Sequence, residues 1–169
     1  LAAFDVSNIL SKLTRQVSKE LVVFDRRIDK ISRTVGKDPN YMFTMSQLRI
    51  GVAEFLFGSS RKQVIESRSN QEDCDWIGLL NDTKVFYRLF SENNQTWQQL
   101  LQPASQTVNL DLYSLRQERV DFNSVGFQVI NRVGHHIFFG KDFTESEISN
   151  LVKALASLDY RRDAQLWEN

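Results

Sequence analysis

Glycine and proline are scarce in this chain, with seven glycines and two prolines among 169 residues. An all-β sandwich or barrel turns about every 8–12 residues and uses such residues at many turns. The scarcity therefore argues against an all-β fold. A chain of this length buries roughly two-thirds of its unfolded surface without disulfides or metals. We predict a mainly α fold, a single helical domain over residues 1–169 with about six or seven helices and at most one short β element.

The charge balance and the single cysteine exclude several classes of protein. Lysine and arginine number 21, as do aspartate and glutamate, so the formal net charge is zero. This sum indicates neither a strongly basic chain nor an acidic tail. Because Cys74 is the sole cysteine, an internal disulfide and a cysteine-based zinc site are excluded. No apolar run approaches the roughly 18 residues of a membrane helix, so we expect no membrane contact and a cytoplasmic location. Since the chain opens at Leu1, we expect a fragment of a longer protein.

Hydrophobic periodicity and capping signals predict where the helices lie. A first long helix follows from apolar residues spaced by four and three positions, namely Val17, Leu21, Phe24, Ile28, Ile31 and Val35, with Gly36 as its stop. A threonine followed three residues later by glutamine or glutamate predicts helix starts at Thr44 and Thr144. The helix that starts at Thr44 is expected to end at Gly58.

The remaining segments are predicted to be helical apart from one loop. Apolar residues from Trp76 to Leu89 indicate one or two helices, and those from Trp97 to Leu101 a further turn that ends at Pro103. Residues 103–117 are predicted to form a loop, with at most a short strand at Val108–Leu112. A helix over residues 122–138 follows from an apolar face composed of Phe122, Val125, Val129, Val133 and Ile137.

The first predicted helix carries a stripe of cations. If residues 12–37 form one straight helix that advances 100° per residue, seven basic side chains fall within about 60° of each other, opposite the apolar face. They are Lys12, Arg15, Lys19, Arg26, Lys30, Arg33 and Lys37. Cations that recur along one face can neutralise successive phosphates of double-stranded DNA. The stripe contains no aromatic residue, so base stacking on a single strand is not indicated.

Other interpretations of the stripe stay open. An ordinary solvated helix face has the same composition. The cations are also suited to the acidic surface of a protein partner, either a DNA-modification protein or a second copy of this chain in a homo-oligomer. Such an acidic surface exists in the chain itself, because the segment from Glu66 to Asp82 contains five acidic residues against Arg68 alone.

Catalytic and metal-binding residues are not indicated. His135 and His136 are adjacent, so on a helix they diverge by about 100° and cannot chelate one ion together; capping of the helix end is the better interpretation. The acids around Cys74 disfavour its thiolate. Because phosphate loops and nucleophile elbows are also missing, we predict no catalytic residue, metal or cofactor.

Several short segments resemble the DndB family of DNA sulfur modification proteins, in the region that follows the family's Asp-Gly-Gln-His-Arg (DGQHR) motif. They are Phe4–Val6, Val17–Leu21, Phe24–Arg27, Tyr41–Leu48, Asn131–Gly134, Leu158–Arg162 and Leu166–Glu168. Their order is that of the family and they span nearly the whole chain. Residues 59–120 match nothing that we can place, and the DGQHR motif itself does not occur in the sequence.

The resemblance implies a helical region downstream of a ParB/sulfiredoxin-like DGQHR domain. It further implies a DNA-binding transcriptional regulator of DNA phosphorothioation loci. DGQHR proteins of deazaguanine DNA-modification systems look similar at this level, so the resemblance leaves the pathway open. Because the signature motif is missing, any activity that it supports is not carried by these residues.

The matched residues divide by their physical chemistry. Phe24, Val133, Gly134 and Trp167 are expected to serve packing. Asp25 with Arg26 or Arg27, and Asp159 with Arg161 or Arg162, are expected to form ion pairs that stabilise the fold rather than contact DNA.

Overall fold

The computed structural model describes residues 6–69, 75–107 and 109–167. Its elements are α1 (Val6–Glu20), β1 (Ile28–Asp29), β2 (Phe43–Thr44), α2 (Met45–Phe57), α3 (Lys62–Ser69), α4 (Trp76–Asn93), α5 (Gln95–Gln98), α6 (Leu112–Glu118), α7 (Ser124–Phe139) and α8 (Glu145–Ala156). Three 3₁₀ turns lie at Gln99–Leu101, Ala104–Gln106 and Gln165–Trp167. The mainly α prediction is confirmed, with eight α-helices in the described residues. No helix in these ranges has the length and apolar character to cross a membrane.

Both predicted capping boxes are confirmed. The Thr44 hydroxyl accepts a hydrogen bond from the Gln47 N–H at 3.1 Å, and the Gln47 side chain accepts one from the Thr44 N–H at 2.9 Å. Thr144 and Glu147 repeat this reciprocal arrangement at the start of α8. Helix α2 ends as predicted at Gly58, whose φ of 66° suits a residue without a side chain.

Helix α7 packs closely against α2 and α4 because a glycine faces an aromatic ring at each contact. A Cβ added to Gly134 would lie 2.6 Å from Cζ of Phe86, and one on Gly51 would lie 2.2 Å from Cε1 of Phe127. The Phe55 ring stacks on Phe86 with centroids 4.7 Å apart. This aromatic cluster forms the centre of the core.

The prediction of one helix over residues 12–37 is wrong, because α1 ends at Glu20. The chain then turns, and the Arg27 side chain donates to the carbonyls of Val22 and Val23 instead of leaving them to a helical backbone. Residues 28–29 pair in parallel with residues 43–44 as the two-residue strands β1 and β2. Of the predicted apolar face, Ile31 is 95% exposed.

Helix α7 is confirmed, but three of the five residues of its predicted buried face are exposed. Val125, Val129 and Val133 are 68%, 52% and 37% exposed, whereas Phe122 and Ile137 are buried as expected, together with Phe127 and Ile130. The polar Asn131 is also buried, because its side chain accepts a hydrogen bond from the Tyr87 hydroxyl at 2.6 Å. A pattern based on hydrophobicity alone cannot anticipate a buried asparagine.

The predicted loop over residues 103–117, with its possible strand at Val108–Leu112, is wrong from Leu112 onward. Leu112 begins helix α6, and the Asp111 side chain caps this helix by accepting from the Ser114 N–H. Val108 lies outside the described residues.

Candidate nucleic-acid interface

The seven predicted DNA-binding cations fall into two groups. Lys12, Arg15 and Lys19 lie on α1, and Arg26, Lys30, Arg33 and Lys37 lie on the turns and loop that follow it. All seven are exposed. The single continuous helical stripe does not exist, since α1 ends before Arg26.

The cations on α1 lie opposite its buried side. Leu10, Leu13 and Val17 are packed in the core. Lys12, Arg15 and Lys19 are spaced by three and four positions, so they share one solvent-facing strip about 60° wide. Such a strip can contact a phosphate backbone without disturbing the core.

The second group is anchored by the buried Arg27. Its side chain donates to the carbonyls of Val22 at 2.8 Å, Leu100 at 2.9 Å and Gln102 at 2.6 Å, and to the Thr107 hydroxyl at 3.1 Å. Burial lowers the pKa of the Arg27 guanidinium. The expected ion pair of Asp25 with Arg26 or Arg27 is not among those of the described residues, and Arg27 binds this set of neutral acceptors instead.

Arg116 of α6 fixes the loop that carries Lys30, Arg33 and Lys37. Its guanidinium donates to the carbonyls of Gly36 and Asp38, both at 2.9 Å, and to that of Tyr41. The Leu112 N–H also donates to the Pro39 carbonyl at 2.9 Å. The loop is therefore attached to α6 from several directions, and its cations are displayed on an ordered backbone.

Acidic residues near the cations are engaged in contacts of their own. Glu20 accepts from Lys84 and Gln16, and the bond from Lys84 lowers the Glu20 pKa. Asp29 accepts from the backbone N–H groups of Ile31 and Ser32, which lowers its pKa. Asp38 accepts from the backbone and side-chain N–H groups of Asn40. These carboxylates therefore serve local structure.

Residues 12–38 contain eight cationic and four acidic side chains, a net charge of +4. Within the described part of the chain, none of the seven exposed cations forms an ion pair with another described residue. They are thus available to an anionic partner.

Two ion pairs elsewhere stabilise the fold. The Arg132 side chain donates to Glu54 at 2.9 and 3.1 Å, and the Ser60 N–H donates to the same carboxylate at 3.0 Å. The Arg161 guanidinium beside Asp159 lowers the pKa of that carboxyl to about 2. The expected pairing of Asp159 with Arg161 is confirmed.

Three of the four residues expected to serve packing do so, and one does not. Phe24 is fully buried, Gly134 lies against Phe86, and the Trp167 ring stacks on Tyr160 with centroids 5.7 Å apart. Val133, at 37% exposed, does not belong to the core.

A polar cleft of about 330 Å³ is a weaker candidate for an anion site. Arg119 and Arg161 line it, but Arg119 binds the buried Asp121 through two hydrogen bonds, at 3.0 and 2.9 Å, and Arg161 binds Asp159. The Asp121 carboxylate also accepts from the Trp97 indole at 2.9 Å. Both cations are therefore neutralised within the protein.

Catalytic and metal chemistry find little support in the geometry. Nδ1 of His135 lies 2.8 Å from the carbonyl oxygen of Phe55, so this histidine joins α7 to α2. The carbonyl of His136 accepts from the Gly140 N–H at the end of α7. The described ranges hold no group of three His, Cys, Asp or Glu residues that could bind a metal ion. Cys74 lies outside these ranges.

Sequence reasoning missed Arg27 and Arg116, which position the second group of cations. The sequence does not distinguish these two arginines from their exposed neighbours. Several of their acceptors are backbone carbonyls that lie 73 to 80 positions away in the chain. Only the folded chain brings these segments together.

The matches to known proteins agree with the sequence resemblance. No curated protein and no solved structure matches the chain significantly. A model of the DndB family, described as DNA-sulfur modification-associated, matches residues 1–169. The chain therefore belongs to the DndB family of DNA-sulfur modification-associated proteins.

Proposed function

We propose that this chain binds double-stranded DNA as part of a transcriptional regulator of a DNA-modification locus in the cytoplasm. The observation that carries the proposal is the set of seven exposed cations between Lys12 and Lys37, none paired with another described residue. Membership of the DndB family supports the connection to DNA.

The binding mechanism is neutralisation of backbone phosphates. Each phosphate contact releases condensed counterions, which gives a slope of about −0.9 per contact when log affinity is plotted against log salt. Seven contacts would bring the slope near −6. The Phe24 and Phe43 rings are buried and cannot stack on bases, and the half-buried Tyr41 is the one partly exposed aromatic ring between Lys12 and Thr44, which favours a duplex over an unstacked single strand.

A salt titration of duplex binding tests the proposal. We expect the triple variant Lys12→Gln, Arg15→Gln, Lys19→Gln to make the slope about 3 units less negative. The matched control is Arg88→Gln, Lys141→Gln, Lys153→Gln, which removes three exposed cations elsewhere. The proposal requires the control to retain the steep slope; equal effects of the two variants would contradict it.

Protein partners are the other outcome of this test. If duplex binding is weak, a pull-down with the DNA-modification proteins in the presence of nuclease, together with light scattering, shows whether the cations bind an acidic protein or a second copy of the chain. Capture that survives nuclease and is lost in the triple variant would replace the DNA proposal with a protein-interaction module.

The regulatory part of the proposal has its own test. Protection of the DNA upstream of the protein's own gene, compared with unrelated DNA of equal length, measures sequence preference. Equal affinity for both would contradict a role as a specific regulator and leave non-specific DNA binding.

A further inference from the structure

A small cleft lies where the turn after α1 meets the segment that leads into α6. Its volume is about 230 Å³. Its lining is mixed, with the polar Arg26, Arg27, Asn40 and Thr107 and the apolar Leu110 and Leu112 among the residues that form it. Among these, Arg26 is one of the exposed cations assigned to DNA binding.

Arg27 gives the cleft a positive wall that no carboxylate offsets by direct contact. All five oxygen atoms that accept from its guanidinium are neutral, four backbone carbonyls and one hydroxyl. The Asp25 carboxylate acts on Arg27 only from a distance, and a buried cation whose contacting atoms are all neutral attracts an anion to the nearest accessible space. That space is the cleft.

Arg26 has a backbone conformation that a side chain disfavours. Its φ is 57°, and it is the sole non-glycine residue with positive φ in the described ranges. Glycine, asparagine or aspartate occupy this left-handed region with less strain. Strain of this kind is concentrated at ligand sites, where the side chain that causes it has a use.

We propose that this cleft binds one phosphate diester group of a nucleic-acid backbone, with Arg26 as its principal ligand. Arg26 donates charge-assisted hydrogen bonds to the phosphate; the Asn40 amide also lines the cleft but already donates to Asp38 Oδ1 at 3.0 Å. The inference rests on the proposed function, since it selects one contact of the bound DNA. An ordinary phosphodiester and one with a non-bridging sulfur both carry a negative charge that Arg26 can bind. Contact with Leu110 and Leu112 is compatible with either.

Replacement of Arg26 separates binding from folding. Arg26→Asn removes the cation and relieves the backbone strain, so we expect Tm to stay equal or rise while duplex affinity falls by roughly tenfold. The matched control, Arg33→Asn, removes an exposed cation of the same segment outside the cleft, and we expect a smaller loss. Equal losses in the two variants, or unchanged duplex affinity in Arg26→Asn, would overturn the cleft as a phosphate site.

Three probes distinguish failure of this inference from failure of the proposed function. They are inorganic phosphate, an unmodified duplex, and the same duplex with one phosphorothioate linkage. If the triple variant of α1 weakens duplex binding and Arg26→Asn does not, the cleft inference fails and the proposed function stands. If no duplex binds but inorganic phosphate raises Tm in an Arg26-dependent manner, the proposed function fails and the diester assignment fails with it, while the cleft is left as a site for free phosphate. A preference between the two duplexes identifies which diester it accepts.

Discussion

Glu54 of α2 and Arg132 of α7 lie 78 positions apart in the sequence and form a bidentate ion pair, with Nε to Oε2 at 2.9 Å and Nη2 to Oε1 at 3.1 Å. The Glu54 side chain is almost fully buried, whereas that of Arg132 is 56% exposed. The same carboxylate caps the turn after α2 through the Ser60 N–H. One acidic group thus joins two packed helices and the turn between α2 and α3.

Loss of the arginine from this pair should destabilise the protein. Arg132→Met leaves the Glu54 carboxylate buried beside Ser60 alone, without a cation. We expect the free energy of unfolding to fall by about 1–3 kcal/mol, moderated because solvent screens the exposed arginine. Urea denaturation at pH 7 measures this change, and Lys153→Met on α8 is a control with the same loss of charge. A loss no larger than that of the control would contradict a role for the pair.

The same pair predicts a pH dependence. Burial opposes ionisation of Glu54, but the hydrogen bonds from Arg132 and Ser60 outweigh it and lower its pKa. A carboxyl whose pKa is lower in the folded state contributes stability above its unfolded pKa, near 4.5, and loses it as pH falls through the folded value. Glu54→Gln should therefore flatten the decline in stability below about pH 4.5. An acid-unfolding curve as steep as that of the wild type would exclude this contribution.

The close packing of α7 against α4 at Gly134 also gives a prediction. In Gly134→Ala the new methyl would lie 2.6 Å from Cζ of the buried Phe86, so the ring or the helix must shift. We expect a destabilisation of about 1–3 kcal/mol, although alanine is the better helix former. Thermal unfolding measures it, and an unchanged or raised Tm would show that the core repacks freely.

Short capping motifs predicted where α2 and α8 begin. The early end of α1 depends on long-range contacts, so the sequence did not predict it. Thr44 and Thr144 each meet a partner three residues away, so both capping boxes are visible in the sequence. Helix α1 ends early for a different reason, since the turn after it depends on Arg27 and acceptors at Leu100 and Gln102. A periodic pattern of apolar residues continues through this turn and conceals it.

The candidate interface was predicted by residue but not by arrangement. All seven cations are exposed, yet three of them lie on a loop whose course Arg116 determines through distant carbonyls. Their role in DNA binding stays a prediction.

Two adjacent residues of α7, one buried and one exposed, test which face of this helix packs against the core. Ile130→Ser removes a buried side chain from the core and should cost about 2–4 kcal/mol of stability, whereas Val129→Ser changes a side chain that is 52% exposed and should cost less than about 1 kcal/mol. Chemical denaturation of both variants measures these losses of stability. Similar losses of stability in the two variants would mean that the exposed valines of α7, Val125, Val129 and Val133, are covered in solution. Light scattering would then show whether a second copy of the chain covers them.

The attachment of the cationic loop to α6 should affect both dynamics and binding. Arg116→Met frees the carbonyls of Gly36, Asp38 and Tyr41, so the loop no longer has a fixed course. Binding must then order the loop, and we expect duplex affinity to fall by roughly three- to tenfold even though no exposed cation is lost. Hydrogen exchange should become faster at residues 36–41 and stay unchanged in α1, and anisotropy with the duplex measures affinity. Faster exchange with unchanged affinity would show that Lys30, Arg33 and Lys37 do not contact DNA, which would confine the interface to α1 and Arg26.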